Sequence, residues 1–131
     1  MSLKCINYPA LPFYQDAVKN HLTYYRHTVI RGYDVERISD RGTKDIFDGK
    51  PSKSGRHLLP GDLWPTAQRK LDLVLAASVL GALSTPPNNH LKKLSGELKG
   101  QWSIRINDQY RIVFRWSNEL RAHDVRICDY H

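Results

Sequence analysis

The chain has 131 residues, of which 40% are hydrophobic, and it carries a formal charge of +7. That length favours one domain, and that apolar content excludes a wholly disordered chain. The basic balance favours a polyanionic partner, either nucleic acid or an acidic protein.

Residues 1–33, opened by Pro9, Pro12 and several tyrosines, are expected to be an N-terminal extension. The segment is open to two readings: a short packing helix over 15–27, with Ala17, Val18, Leu22 and Tyr25 loosely on one face, or a poorly ordered arm. Residues 35–39 suit a first strand, and 40–48 have helical spacing with Ile46 and Phe47 as anchors. Gly49, Pro51, Ser52, Ser54 and Gly55 predict a loop that carries Lys50, Lys53 and Arg56, as a solvated loop or an RNA contact. The strongest helix is predicted over 65–83. Pro65 suits its first turn, and Ala67, Leu71, Val74, Leu75, Ser78, Val79 and Ala82 form an apolar stripe that faces the core. Pro86 and Pro87 block any continuation.

Residues 91–98 predict a short extended or turn element. Trp102, Ile104 and Ile106 then alternate with Ser103, Arg105 and Asn107, the signature of a half-buried strand. A turn at Asn107-Asp108-Gln109 leads to a strand over 110–116, and Ser117-Asn118-Glu119 to a last strand over 122–130. Strands joined by turns this short make an antiparallel meander. The fold class is therefore α+β, with one sheet face against the long helix and the other wet. Arg105, Arg111 and Arg115 are candidates for the wet face.

The chain has neither a leader-like basic segment followed by an apolar run nor a stretch long and apolar enough to span a bilayer. A cytoplasmic protein without membrane contact is the expectation. Cys5 and Cys128 are the only cysteines. They form neither a metal-ligand spacing nor a disulfide framework, and Cys128 reads as a small core hydrophobe. The histidines are scattered, so no metal site or cofactor is assigned.

The chemistry concentrates at the end of the chain, Asp129-Tyr130-His131. RNA is cut when the ribose 2′-hydroxyl attacks the adjacent phosphorus and the 5′-oxygen leaves. The reaction needs proton transfer and stabilisation of phosphoryl charge. An imidazole such as His131 moves protons near neutrality, and a tyrosine such as Tyr130 donates a hydrogen bond or stacks on a base. Asp129 can orient a neighbouring donor. Arg111, held on a strand, is the best phosphate ligand; Lys92 and Lys93, beside a glycine-containing turn, can assist. His90 lies close to them. Strict alternation sets Tyr130 and His131 on opposite faces unless the terminus curls.

From about Val35 onward the chain resembles the HigB toxins, ribosome-dependent mRNA interferases of the RelE/ParE superfamily. The matching segments are "DRGTKDIFDGK", "LWPTAQRKLDLVLAA", "LKKLSGELKGQWSIRINDQYRIVFRW" and the terminal "DYH". The resemblance implies a RelE/ParE-like toxin domain over 34–131, and metal-independent cleavage of mRNA in the ribosomal A site. It also implies a HigA-like helix-turn-helix antitoxin as partner, with operator DNA bound only through the toxin–antitoxin complex. Asp129, Tyr130 and His131 match the family's terminal catalytic group, and Arg111 its strand arginine. Lys92 stands where the family member compared has a histidine, with His90 two residues earlier. Ser95 stands where a lysine is common, and Gln109 where an asparagine can occur. These departures leave the general base open.

Two other readings keep the fold and change the function. A ParE-like toxin would bind gyrase and cleave no RNA, although binding alone does not require a terminal proton donor. An inactivated toxin would persist only as a subunit of an antitoxin or DNA complex.

Overall fold

The computed structural model describes residues 3–4 and 37–130; the helix expected over 15–27, Val35 and His131 lie outside the described residues. The first helix, α1 (Arg41–Asp48), begins where the extended Asp40 accepts the Thr43 N–H at 2.6 Å. It ends at Gly49, whose φ of 73° is costly for any residue with a Cβ. The expected anchors Ile46 and Phe47 are buried.

The predicted loop is shorter than expected, because Lys53 and Arg56 lie on a helix, α2 (Lys53–Leu58). The Ser52 hydroxyl caps it by accepting the Gly55 N–H at 3.0 Å. Trp64 packs against Gly55 and donates its indole N–H to the Leu59 carbonyl at 2.9 Å, which fixes the far end of α2.

The long helix, α3 (Trp64–Ala76), carries Pro65 in its first turn and buries Ala67, Leu71, Val74 and Leu75. It stops well before residue 83. Ala77 turns extended, and a 3-10 turn over Leu80–Ser84 follows. The second half of the expected stripe is therefore not core: Ser78 and Ala82 are exposed, and Val79 is 62% exposed. The turn instead buries Leu83 to 2% and half-buries Leu80, so larger side chains replace smaller ones in the core.

The sheet has the order β1-β5-β4-β3-β2, formed by β1 (Leu3–Lys4), β2 (Lys92–Lys93), β3 (Gln101–Arg105), β4 (Tyr110–Ser117) and β5 (Arg121–Tyr130). All neighbours are antiparallel, so the predicted meander is present, extended by a short strand at each edge. Ile104, Ile112 and Ile127 lie in register across β3, β4 and β5. They join Leu71, Val74 and Leu75 of α3 in one core. Fold class is thus α+β, as expected.

The strand expected over 35–39 reduces, in its described part, to one parallel bridge between Ile38 and Val125. The next position on that edge is taken by α1, where the Thr43 hydroxyl accepts the Ile127 N–H at 2.9 Å. β1 then pairs Lys4 with Asp129 and Leu3 with Tyr130. Cys128 is buried, as expected, but is disulfide-bonded rather than a free core thiol. Cys5 lies outside the described residues.

Candidate functional site

Residues directly opposite in an antiparallel pair share a face, as do residues two apart along a strand. Arg111 is opposite both Arg105 and Cys128, and Lys92 is opposite Ser103. Lys92, Ser103, Arg105, Arg111 and Tyr130 therefore lie on the sheet face turned away from α3. Here the Arg111 guanidinium carbon sits 5.2 Å from the centre of the Tyr130 ring, and Lys92 Nζ sits 6.0 Å from it. One Arg111 Nη donates to Ser103 Oγ at 2.9 Å and, weakly, to the His90 carbonyl at 3.4 Å. A cation over an aromatic face is held by the ring's quadrupole.

Burial pushes the Arg111 guanidinium below its ordinary value, and nearby Arg105 acts in the same direction, while Tyr130 opposes both. A guanidinium so shifted still stays charged near neutrality. The arrangement can bind an anion at a rigid cation and offer an aromatic surface beside it.

The other expected residues divide. Asp129 is opposite Tyr110, on the opposite face from Tyr130. There Gln109 Nε2 approaches its carboxylate at 3.4 Å. Burial, reinforced by the Asp129 charge, raises the Tyr110 hydroxyl above its ordinary value. Lys93 is opposite Trp102 and lies 5.9 Å over that ring, away from Lys92. Arg105 makes a very short contact with Asp108, and Arg115 pairs with Asp124 at 3.1 Å. His90 has an exposed side chain and reaches Arg111 through its backbone, which has a φ of 48°. In the sequence Ser103 is only an alternating polar position on a half-buried strand. It is fully buried against Arg111. Alternation puts it on the arginine face, but its contact depends on the register between β3 and β4. Among the described residues, no group of three or more His, Cys, Asp and Glu side chains could hold a metal ion.

The model of the RelE-like toxin of type II toxin–antitoxin system HigB matches residues 44–131. The chain belongs to the HigB-like toxins. Toxin HigB-1 of Vibrio cholerae serotype O1 is 44% identical over 62 residues, which cover 47% of this chain and 65% of that protein. An uncharacterised protein of Haemophilus influenzae is 37% identical over 60 residues, 46% of this chain and 59% of the other. The chain thus spans less than two thirds of either relative. The HigB-like match takes in every site residue from His90 to His131 and leaves out β1 and the Asp40 cap. Among the described residues, no helix of this HigB-like toxin is long and apolar enough to cross a membrane.

Proposed function

We propose that this HigB-like toxin is an endoribonuclease that cleaves mRNA in the ribosomal A site. The 2′-hydroxyl gives its proton to water as its oxygen attacks the adjacent phosphorus, and the bond from phosphorus to the 5′-oxygen breaks. A 2′,3′-cyclic phosphate and a 5′-hydroxyl result. The observation that carries this reading is the Arg111 guanidinium stacked at 5.2 Å on Tyr130, with Lys92 6.0 Å from the same ring. A fixed guanidinium answers the charge that builds on the phosphoryl oxygens. Tyr130 stacks on or orients the nucleotide. His131, next in the chain, gives a proton to the leaving 5′-oxygen. Lys92 adds a phosphate contact. Asp129, on the far face with Gln109, holds the end of β5 rather than the substrate.

The partners of this reading are the ribosome with its mRNA and a HigA-like helix-turn-helix antitoxin. Operator DNA is engaged through the antitoxin complex. The test is 5′-end mapping of transcripts after induction. Codon-phased cuts are expected, and they should disappear in the double variant Tyr130→Phe with His131→Ala. Intact transcripts, or cuts undiminished in that variant, overturn the assignment. Gyrase inhibition with intact mRNA would point to a ParE-like mode instead.

A further inference from the structure

The arginines of this sheet are not equivalent. Arg105 is paired with Asp108, while Arg115 and Arg126 share Asp124 at 3.1 and 3.4 Å. Arg111 differs. Among the described residues, its partners are the Ser103 hydroxyl, the His90 carbonyl and the Tyr130 ring, and no carboxylate is among them.

We propose that Ser103 is a positioning residue of this site, whose buried hydroxyl seats the Arg111 guanidinium without neutralising it. The inference rests on the endoribonuclease reading of the same face. Ser103 is 0% exposed and is flanked in the sheet by Lys92 on β2 and Val113 on β4. It lies diagonally across from Arg111, so its short side chain reaches the guanidinium at 2.9 Å. A carboxylate here would hold Arg111 more strongly but would compete with phosphate for the same donors. A methyl group would leave a half-buried donor without its acceptor. The hydroxyl fixes direction and leaves the charge free. An arginine side chain loses rotamer freedom when it is ordered. The seat makes that ordering part of folding rather than of the reaction.

The weaker contact is also built in. The His90 carbonyl follows a 3-10 turn over Pro87–Asn89. Asn89 is 1% exposed, donates to the Leu83 and Thr85 carbonyls at 3.2 Å each, and accepts from Lys70 Nζ at 2.8 Å. The turn beside Arg111 is therefore pinned from behind.

The experiment measures single-turnover cleavage of a short labelled mRNA on programmed ribosomes, using full-length wild type, Ser103→Ala, Ser103→Thr, Arg111→Ala and the double variant Ser103→Ala with Arg111→Ala. Ser103→Ala is expected to slow the cleavage step by on the order of tenfold to a hundredfold, as a misplaced catalytic group does. Its affinity for the programmed ribosome should stay close to wild type. Ser103→Thr, which keeps the hydroxyl, should recover most of the rate. In the Arg111→Ala background, Ser103→Ala should cost nothing further, because the seat then has no occupant. A purely structural serine would lower the rate equally in both backgrounds, and that result overturns the proposal. So does a wild type that cuts while Ser103→Ala cuts equally well, which leaves the endoribonuclease reading intact. A wild type that cuts nothing on programmed ribosomes overturns that reading and the use of the seat together.

Discussion

The Thr43 hydroxyl accepts the backbone N–H of Ile127 at 2.9 Å, and so ties the first turn of α1 to the strand that carries Tyr130. The same hydroxyl donates to the Asp40 carboxylate at 3.1 Å, while the Thr43 N–H is capped by that carboxylate at 2.6 Å. Thr43→Val keeps the shape and removes the oxygen. It leaves a buried N–H on β5 without an acceptor, which costs about 1–3 kcal/mol. A lower urea midpoint with an unchanged slope is expected, and Thr43→Ser should recover much of the loss. A midpoint for Thr43→Val equal to wild type would show that water serves Ile127 equally well.

Asp40 gives this junction a pH dependence. Burial pushes its carboxyl above the ordinary 3.8, against the lowering effect of the Thr43 hydrogen bonds and of Arg126. The native state therefore holds this proton more tightly than the unfolded chain does. Its contribution is fully present below pH 3.8 and is lost as pH rises through the folded value. Asp40→Asn keeps a capping oxygen and removes the ionisation. Relative to wild type, this variant should gain stability as pH is raised from the acid range to neutrality. Urea midpoints of both proteins across that range check the sign. A difference that is flat, or that moves the other way, rules out burial as the dominant influence on Asp40.

The meander was legible because its strands alternate cleanly and its turns are short; each local pattern agrees with the final pairing. Arg111 and Tyr130 were legible as residue types, but their contact was not. It depends on the Arg111↔Cys128 register, which no local pattern specifies. Alternation predicts that Tyr130 and His131 face opposite ways, and the register parts Asp129 from Tyr130 as well. The end of α3 was missed for a different reason. Periodicity favours Val79, whereas tertiary packing favours Leu83, and burial of the larger side chain prevails. β1 pairs residues from opposite ends of the chain, beyond the reach of any window.

Gly55 and Gly81 offer a controlled contrast. A Cβ on Gly55 would come within 2.8 Å of the Trp64 ring, whereas one on Gly81 meets nothing within 4 Å. Gly55→Ala should displace the indole, weaken its bond to the Leu59 carbonyl and destabilise the fold by about 1–3 kcal/mol. Gly81→Ala should be neutral or stabilise by up to about 1 kcal/mol through the unfolded chain. Thermal melts followed by tryptophan fluorescence separate the two. Equal melting temperatures would mean that Trp64 moves aside without cost.

Arg111 and Arg115 lie on the same strand but are predicted to fail in different ways. Arg115 is bound to Asp124, which adopts a φ of 53° where the β4–β5 register shifts between Val113 and Arg115. Asp124 also binds Arg126, whose side chain is 1% exposed. Arg115→Ala should therefore act mainly on stability, and only modestly, because its own side chain is 38% exposed and Arg126 still holds Asp124. Arg111→Ala removes a cation that, among the described residues, has no carboxylate partner. In the proposed reaction it should lower the cleavage rate by on the order of a hundredfold to a thousandfold, the usual cost of losing one donor to a transition-state charge. Its melting temperature should change little. Growth arrest on induction, cleavage on programmed ribosomes and thermal melts, measured together, check both variants. If Arg115→Ala abolishes cleavage while remaining folded, and Arg111→Ala cuts normally, the phosphate ligand lies on the Arg115 side of the sheet and the proposed site is misassigned.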